Sequence, residues 1–575
     1  MTVQVSFANL PTFDLNWSAA GRDHLPAHQP PTQEPHTHKS DLTSFLSSRE
    51  TTDAPRPVDT TVEGRPHPTL APWAAVACPG GLPLYPFQQD ALDHILTSPV
   101  GRRTFLSLEQ GMGKTPTAIH AIAASLVAVP DAGPVLVCVP PSLRRTWLRE
   151  FDAFRPGTTV TLLEGRKVYE VDYDVDVVLI GDSVMAAWAD ELEGKVSGLV
   201  VDECQRTKSL SQRSNAVLKV ARSLPQDGMR LLLTGTLTTN GRPTELSQPL
   251  SILDRLGEAT PKQDGTFGFG KINAKGVDAN VFRFLNTFAP KVAGDRFGRR
   301  AAADLDILHD NLVDNVGMYR RLRKDVPELE DLSKARNIWY AEMTAKQARL
   351  YAEVEDDLRS FLVDRCGRSY AQADRSMRAE ALVRLMNLRK QAGAGKVAAI
   401  VERTKELIAE GGERVFIATW YKDEAQAIVD ALGDKAVKIV GGMSDNAKAE
   451  AQRRFTTDDE DNVPVLVGNI IAAGCGLTLH GGGKCRTIIV GSLPWTPSDL
   501  AQVEDRLCRI GQTREVHSTI AIAAHPDGRE SIDAQVFGLL RAKAEATSMI
   551  HDGLESDGLV DEQSIADALM EYYGG

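Results

Sequence analysis

Five side chains in this sequence could together bind and split a nucleoside triphosphate: Lys114, Asp202, Glu203, Arg506 and Arg509. A lysine in a glycine loop neutralises phosphate charge, adjacent carboxylates hold Mg²⁺ and orient water, and arginines stabilise a phosphoryl group in transfer. The arginines follow the lysine only after most of the chain has passed. The sequence therefore predicts that two separate parts of the molecule close on one nucleotide.

The lysine stands in a glycine loop that directly follows the apolar run 104–107. Backbone amides of such a loop form an anion nest at the start of a helix, and the next hydroxyl can ligate Mg²⁺. We expect ATP to be held by Gly111, Met112, Gly113, Lys114 and Thr115, with Thr115 on the metal. The strict pattern has glycine where this chain has Leu108, so a simple Gly-Lys turn before a helix is the alternative reading of this motif alone.

Two further apolar runs end in polar residues that suit the same chemistry. Asp202 and Glu203 follow the run 199–201, where Asp202 would hold Mg²⁺ and Glu203 would orient or deprotonate the attacking water. Thr234 and Thr236 follow the run 231–233 and could sense the nucleotide. The alternatives are a strand cap for the carboxylates and a plain strand-to-turn exit for the threonines.

Arg506 and Arg509 lie three residues apart in the stretch 502–512. A helix places positions i and i+3 on one face, so we expect a helix that presents both guanidinium groups to one anion. This geometry is typical of an arginine-finger pair.

Apolar runs of strand length alternate with helical patterns in two series, which predicts an α/β fold with two parallel-sheet lobes. The expected strands are 104–107, 135–139, 177–180, 199–201 and 231–233, then 415–418, 437–440, 463–467, 488–490 and 519–522. We expect a disordered or loosely attached segment over 1–75, the first lobe over 76–250, helical insertions and inter-lobe helices over 251–400, the second lobe over 401–545 and an acidic tail over 546–575.

The bulk composition limits the class of protein. The formal net charge of −12 argues against a protein that coats nucleic acid non-specifically, although it leaves room for a local basic track. The seven cysteines include no Cys-x-x-Cys pair, which fits a reducing compartment and predicts no zinc site. No apolar run is long enough for a membrane span and no secretion signal is readable, so we expect an intracellular, soluble protein without a membrane partner.

Several stretches, in this order, resemble motifs of the Swi/Snf-type ATPases of helicase superfamily two. The matches are 84–88 to the adenine-reading glutamine motif, 109–115 to Walker A, 140–143 with Trp147 to the first strand-contact motif, 318–326 to the basic helix between lobes, 472–479 to motif V, and 495–497 with 502–512 to the WNP and arginine-finger block. The resemblance covers roughly residues 84 to 515. Within the family it is nearest to the annealing-helicase branch.

The resemblance implies two RecA-like lobes with helical insertions, ATP and Mg²⁺ between the lobes, and DNA across both. It implies that Gln88 reads adenine and that Thr115 and Asp202 hold Mg²⁺. It implies coupling through Gln205, Thr234, Thr236 and Gln502, and nucleic-acid contacts at Ser142, Thr478 and Trp495. For Trp495, packing beneath the arginine segment is the alternative, and for the cations of 318–326 a solvated face or a brace within the protein.

The sequence departs from the family pattern at three positions. Gln205 replaces the usual His, so the link from the carboxylates to the threonines must run through an amide, while Leu237 replaces a Pro and Thr478 an Asn without removing a catalytic group. The expected function is an ATP-dependent translocase that remodels or reanneals duplex or branched DNA. A strand-separating helicase on DNA or RNA and a weakened nucleic-acid-binding protein, with Gln205 as the mark of decay, stay as alternatives, and the segment 1–75 leaves protein partners open.

Overall fold

The computed structural model describes residues 81–98, 100–128, 133–262, 280–292, 300–329, 332–365, 375–473, 477–553 and 565–574. The predicted N-terminal segment 1–75 and the glycines of the motif V match, Gly474 and Gly476, lie outside these residues.

The first lobe is built on a seven-stranded parallel sheet in the order β3-β4-β2-β5-β6-β1-β7. Its strands are β1 (Arg103–Leu108), β2 (Val135–Val139), β3 (Val160–Leu163), β4 (Val177–Gly181), β5 (Gly198–Asp202), β6 (Arg230–Leu233) and β7 (Tyr319–Arg321). The central runs are buried from end to end because helices cover both faces of the sheet. The phosphate loop follows β1 and the two carboxylates end β5, so both lie at the carboxyl edge of one sheet.

Short helices surround this sheet. They are α1 (Pro86–Thr97), α2 (Lys114–Ala128), α3 (Arg144–Phe154), α4 (Met185–Leu192), α5 (Gln212–Ser223), α6 (Ser247–Leu253), α7 (Asn280–Phe288) and α8 (Leu305–Asp310).

The second lobe has a six-stranded parallel sheet in the order β10-β11-β9-β12-β13-β8. Its strands are β8 (Lys334–Ala341), β9 (Arg414–Thr419), β10 (Ala436–Ile439), β11 (Val465–Asn469), β12 (Cys485–Val490) and β13 (Val516–Ala523). The helices of this half are α9 (Ala345–Arg365), α10 (Arg375–Gly411), α11 (Lys422–Leu432), α12 (Asp445–Thr456), α13 (Ile470–Ala473), α14 (Pro497–Glu504), α15 (Ile532–Asp552) and α16 (Ile565–Gly574). The two parallel sheets confirm the predicted two-lobed α/β fold.

The connection between the lobes differs from the prediction. The prediction of a helix over 318–326 is wrong, because Tyr319–Arg321 forms β7 and pairs in parallel with β1. The stretch 251–400, expected to hold helical insertions and inter-lobe helices, also contains β8, which pairs with β13 along eight residues. The chain therefore leaves the first sheet at β7 and enters the second sheet at β8.

The C-terminal stretch 546–575 is not simply a tail. Helix α15 crosses the predicted boundary at residue 546, and Ile550 packs in a core cluster with first-lobe residues. The final helix, α16, buries Ile565, Leu569 and Tyr573. These apolar side chains hold the two helices against the body of the protein.

Candidate active site

The phosphate loop, residues 109–115, has the backbone of an anion nest. Gly111 and Gly113 adopt positive φ angles of 82° and 79°, a region that side chains with Cβ rarely enter. A Cβ added at Gly113 would lie 2.2 Å from Nε2 of Gln88. The loop therefore requires glycine for its shape and for the close approach of Gln88.

Lys114 opens α2 and is buried at the base of this loop. Its Nζ donates to the carbonyl of Leu108 at 3.1 Å and to Oε1 of Gln110 at 3.4 Å. Burial lowers the pKa of Lys114, and the carboxylates of Glu203 and Asp202 oppose that shift. The ammonium group is thus held near the two predicted catalytic carboxylates, where a bound phosphate would pair with its positive charge.

Gln88 lies on α1 with both ends of its amide engaged. Its Nε2 donates to the carbonyl of Met112 at 2.9 Å, and its Oε1 accepts the backbone N–H of Tyr85 at 3.0 Å. Gln88 therefore connects the phosphate loop to the segment before α1. Gln88 and Tyr85 also line the cavity described below.

Asp202 ends β5 and is buried. Its Oδ2 accepts the indole N–H of Trp147, itself fully buried on α3, at 2.8 Å. Burial, and next the adjacent Glu203 carboxylate, raise the pKa of Asp202 to about 6. The sequence reasoning assigned Trp147 to a strand-contact motif, whereas the structure places its N–H on the predicted magnesium ligand.

A chain of hydrogen bonds links the second carboxylate to the tip of β6. Glu203 has a left-handed backbone with φ of 51°, and its Oε2 accepts from Nε2 of Gln205 at 2.6 Å and from Nε2 of Gln502 at 3.4 Å. Oε1 of Gln205 accepts from Thr234 Oγ1 at 2.9 Å, and the same hydroxyl oxygen accepts the backbone N–H of Thr236 at 2.9 Å. The four predicted coupling residues are therefore contiguous, and Gln502 extends the chain into the second lobe.

Arg506 and Arg509 do not lie on a helix. Helix α14 ends at Glu504, and both arginines follow in a turn, residues 505–510, which we call the arginine turn. Nη1 of Arg506 donates to the carbonyl of Leu477 at 3.3 Å, and Nε of Arg509 donates to the carbonyl of Asp505 at 2.9 Å. Burial and then neighbouring Arg506 lower the pKa of Arg509 to about 9, so it stays cationic at neutral pH.

The two lobes enclose one cavity of about 720 Å³ that brings most predicted groups together. Its lining includes Gln88, Gly111, Gly113, Lys114, Thr115, Asp202, Glu203, Thr478, Arg506 and Arg509. The backbone of the arginine turn approaches the phosphate loop directly, since a Cβ on Gly111 would lie 3.0 Å from the carbonyl of Cys508. Glycines at positive φ, a buried lysine and facing carboxylates suit a triphosphate with Mg²⁺, and Thr115 and Asp202 are the side chains that could hold the metal.

The residues predicted to contact nucleic acid have three different environments. Ser142 is exposed in the turn Pro141–Leu143. Thr478 lines the nucleotide cavity, and its Oγ1 accepts from Nη1 of Arg509 at 3.4 Å. Trp495 is half-buried, with Cζ of Arg389 lying 3.8 Å from its ring centre. The contact with Arg389 favours the alternative role of Trp495 in packing. Ser142 is the most exposed of the three side chains.

Sequence reasoning missed two groups at the lobe contact, Glu109 and Arg323. Their carboxylate and guanidinium form an ion pair beside the phosphate loop. Arg323 was grouped with neighbouring cations as one basic stretch, although it is buried while Arg321 and Lys324 are exposed.

Within the described ranges, no helix is both long enough and apolar enough to cross a membrane.

Comparison with known families gives two matches that together span both lobes. The profile described as "SNF2-related domain" matches residues 87–394, and "Helicase conserved C-terminal domain" matches residues 397–511. The first of these covers more than half of the chain.

Curated relatives include the human protein named "DNA annealing helicase and endonuclease ZRANB3", which is 25% identical over 82% of this chain and 40% of its own length. Another is the Xenopus tropicalis "SWI/SNF-related matrix-associated actin-dependent regulator of chromatin subfamily A-like protein 1", 24% identical over 77% of this chain and 43% of its own length. The chain thus spans less than half the length of these relatives. A solved structure, "Sulfolobus solfataricus SWI2/SNF2 ATPase core in complex with dsDNA", is 19% identical with a TM-score of 0.37 and covers 83% of this chain and 95% of its own.

Proposed function

The chain belongs to the SNF2-related domain family, and on this premise we propose that it is a DNA-dependent ATPase that moves along or remodels duplex or branched DNA. The observation that carries the proposal is the cavity between the lobes, where Lys114 and the carboxylates of the first lobe face Arg506 and Arg509 of the second. A nucleotide there would be contacted from both sides, so its hydrolysis depends on how the lobes are placed.

The first lobe supplies the groups that bind the nucleotide and prepare the water. Gly111, Met112 and Gly113 present backbone amides to the phosphates, and Lys114 neutralises their charge. Thr115 and Asp202 are the side chains that would hold Mg²⁺, which when bound neutralises developing charge on the phosphate oxygens. Glu203 accepts a proton from water or orients it, and its bonds to Gln205 and Gln502 fix the carboxylate for that role.

The second lobe supplies the arginines. Guanidinium groups that reach the transferred phosphoryl group stabilise the charge of the transition state and are worth roughly 10³ to 10⁵ in rate. A ligand that binds better to the closed arrangement than to an open one increases the fraction of closed molecules. DNA bound across both lobes would do this, which couples its movement to each hydrolysis cycle.

The class of nucleic acid is proposed from the relatives. One is named a DNA annealing helicase, and the solved core is described in complex with double-stranded DNA. For this chain we propose duplex or branched DNA as the partner, contacted through phosphates near Ser142 and the second-lobe edge, with Trp495 as a packing residue. Such contacts are independent of base sequence and weaken with salt.

The test is the ATPase rate of the purified chain without nucleic acid and with single-stranded DNA, duplex DNA, a fork and RNA. We expect duplex or forked DNA to stimulate hydrolysis most, with a stimulation that falls as salt rises. A triplex-displacement assay with ATP then reports movement along duplex DNA, and a strand-displacement assay reports separation. Equal rates in all five conditions would overturn the proposal, and preferential strand separation or RNA stimulation would favour the alternative helicase.

A further inference from the structure

We propose that Arg323 is a positioning residue that holds the arginine turn against the phosphate loop. The inference rests on the proposed function, because it concerns how Arg506 and Arg509 reach the nucleotide. Arg323 does not line the nucleotide cavity and is therefore not a catalytic residue. It lies in the connection between β7 and β8, where the chain passes from one lobe to the other.

On the first-lobe side, Arg323 contacts the residue that begins the phosphate loop. Its backbone N–H donates to Oε2 of Glu109 at 2.8 Å, and its Nε donates to Oε1 of the same carboxylate at 2.9 Å. The backbone N–H of Glu109 in turn donates to the carbonyl of Arg321 at 3.0 Å. Burial would raise the pKa of Glu109, but the Arg323 guanidinium outweighs it and lowers that pKa. The connection and the loop are thereby tied at both backbone and side chain.

On the second-lobe side, the same guanidinium contacts the arginine turn at two places. Nη2 of Arg323 donates to Oδ1 of Asp505 at 2.9 Å, and Nη1 donates to the carbonyl of Cys508 at 2.7 Å. Asp505 immediately precedes Arg506, and Cys508 immediately precedes Arg509. Arg323 therefore contacts the neighbour of each predicted finger.

The turn is anchored within its own lobe by a second set of buried ions. Nζ of Lys334 donates to Oδ1 of Asp505 at 2.9 Å and to Oε2 of Glu504 at 3.2 Å, while Nε of Arg336 donates to Oε1 of Glu504 at 2.9 Å. Burial would raise the pKa of Asp505, but Arg323 and Lys334 hold it at about 2. These contacts tie the turn to β8, and Arg323 connects both to the phosphate loop.

A planar guanidinium is needed for these contacts. Arg323 directs different nitrogen atoms to Glu109, Asp505 and the Cys508 carbonyl, whereas a lysine ammonium is a single point charge on an unbranched, flexible stem. Arg323→Lys keeps the buried charge but cannot hold all three partners. Misplacing a reacting group by about 1 Å can cost about 10²-fold in rate. We expect a loss of that size in hydrolysis with little change in ATP binding.

The experiment compares Arg323→Lys, Glu109→Gln and the wild type by titration with a fluorescent ATP analogue and by single-turnover hydrolysis, with and without duplex DNA. We expect affinities within about threefold and hydrolysis slowed about 10²-fold for both variants. The matched control is Lys396→Met, which breaks a buried ion pair outside the arginine turn, in which Nζ of Lys396 lies 2.5 Å from Oδ2 of Asp533. It should lower the melting temperature at least as much while hydrolysis stays near wild type.

A double-variant cycle separates positioning from general damage. If Arg323 acts through Arg509, Arg323→Lys should cost little further in an Arg509→Ala background, because effects of residues that act as a unit are not additive. The same loss in both backgrounds, or wild-type hydrolysis in Arg323→Lys, would overturn the inference. Absence of DNA stimulation in the wild type would instead refute the proposed function, since the cycle can be read from the rates without DNA.

Discussion

Trp147 donates its indole N–H to Oδ2 of Asp202 at 2.8 Å, so a residue fully buried in helix α3 supports the predicted magnesium ligand at the end of β5. The bond opposes burial and Glu203, which together raise the pKa of Asp202 to about 6. Only the ionised carboxylate can hold Mg²⁺. ATP hydrolysis that depends on the Asp202 carboxylate should be present above the pKa of Asp202 and be lost as the pH falls through that pKa.

Replacing Trp147 with Phe tests this relationship. Phe keeps an aromatic ring in the core but removes the N–H, so the pKa of Asp202 should rise further and the acid limb of kcat/KM should move to higher pH. The measurement is kcat/KM for ATP against pH. Trp188→Phe is the matched control, because its buried indole donates instead to the carbonyl of Gly165 at 2.9 Å. An unmoved acid limb in Trp147→Phe would contradict this role.

Gly113→Ala should weaken ATP binding, because the amide of Gln88 must leave the carbonyl of Met112 to make room for the new methyl group. The new Cβ would meet Nε2 of Gln88 at 2.2 Å, and the backbone φ of 79° would also be strained. Gly157→Ala separates these effects, since Gly157 has a φ of 91° in the same lobe with open space around its Cβ position. Strain alone costs about 1–2 kcal/mol, so Gly157→Ala should lose stability but bind the nucleotide analogue normally. Wild-type binding by Gly113→Ala would show that the close approach of Gln88 is unnecessary.

Gln205→Ala should lower DNA-stimulated hydrolysis more than ATP binding. It removes the amide that joins Glu203 to Thr234, whereas Gln205→His retains one donor and one acceptor and should recover much of the rate. Steady-state ATPase with and without duplex DNA measures both variants. Gln248→Ala, at a buried glutamine bonded to Asn215, is the control. If Gln205→Ala keeps full stimulation, the hydrogen-bond chain does not carry coupling.

Trp495→Ala should reduce stability rather than DNA affinity. The indole packs against the core and under the Arg389 guanidinium at 3.8 Å, and losing this packing should cost about 2 kcal/mol. Thermal unfolding and the salt dependence of duplex binding provide the two readouts, with Trp495→Phe as the conservative control. Unchanged stability together with a large loss of DNA affinity would instead support the nucleic-acid contact predicted for Trp495.

Apolar runs predicted most strands, but the short strand β3 and the charged strands β7 and β8 were missed, and the two charged strands were missed for a physical reason. In β8, Lys334 and Arg336 occupy buried positions because Glu504 and Asp505 neutralise them from far along the chain. Strand β7 is a basic run that pairs with β1 only in the folded sheet. Local patterns contain no sign of such distant partners.

At the nucleotide site, too, the sequence predicted some features and missed others. Types and spacing placed Lys114, Asp202, Glu203 and both arginines in one cavity, but the helix expected for the arginines ends at Glu504. Buried ion pairs at Glu504 and Asp505 hold the chain in the turn that follows. Trp147 and Arg323 gain their roles from partners on other elements, Asp202 and Glu109, which sequence spacing does not reveal.

The central claim is that arginines of the second lobe act on ATP held by the first. Single-turnover hydrolysis by Arg509→Ala at saturating ATP and duplex DNA tests it most directly. Arg486→Ala, which loses a second-lobe pair with Glu413, serves as the control. We predict that Arg509→Ala binds ATP but hydrolyses it about 10³-fold more slowly or worse. Hydrolysis at the wild-type rate would contradict the account.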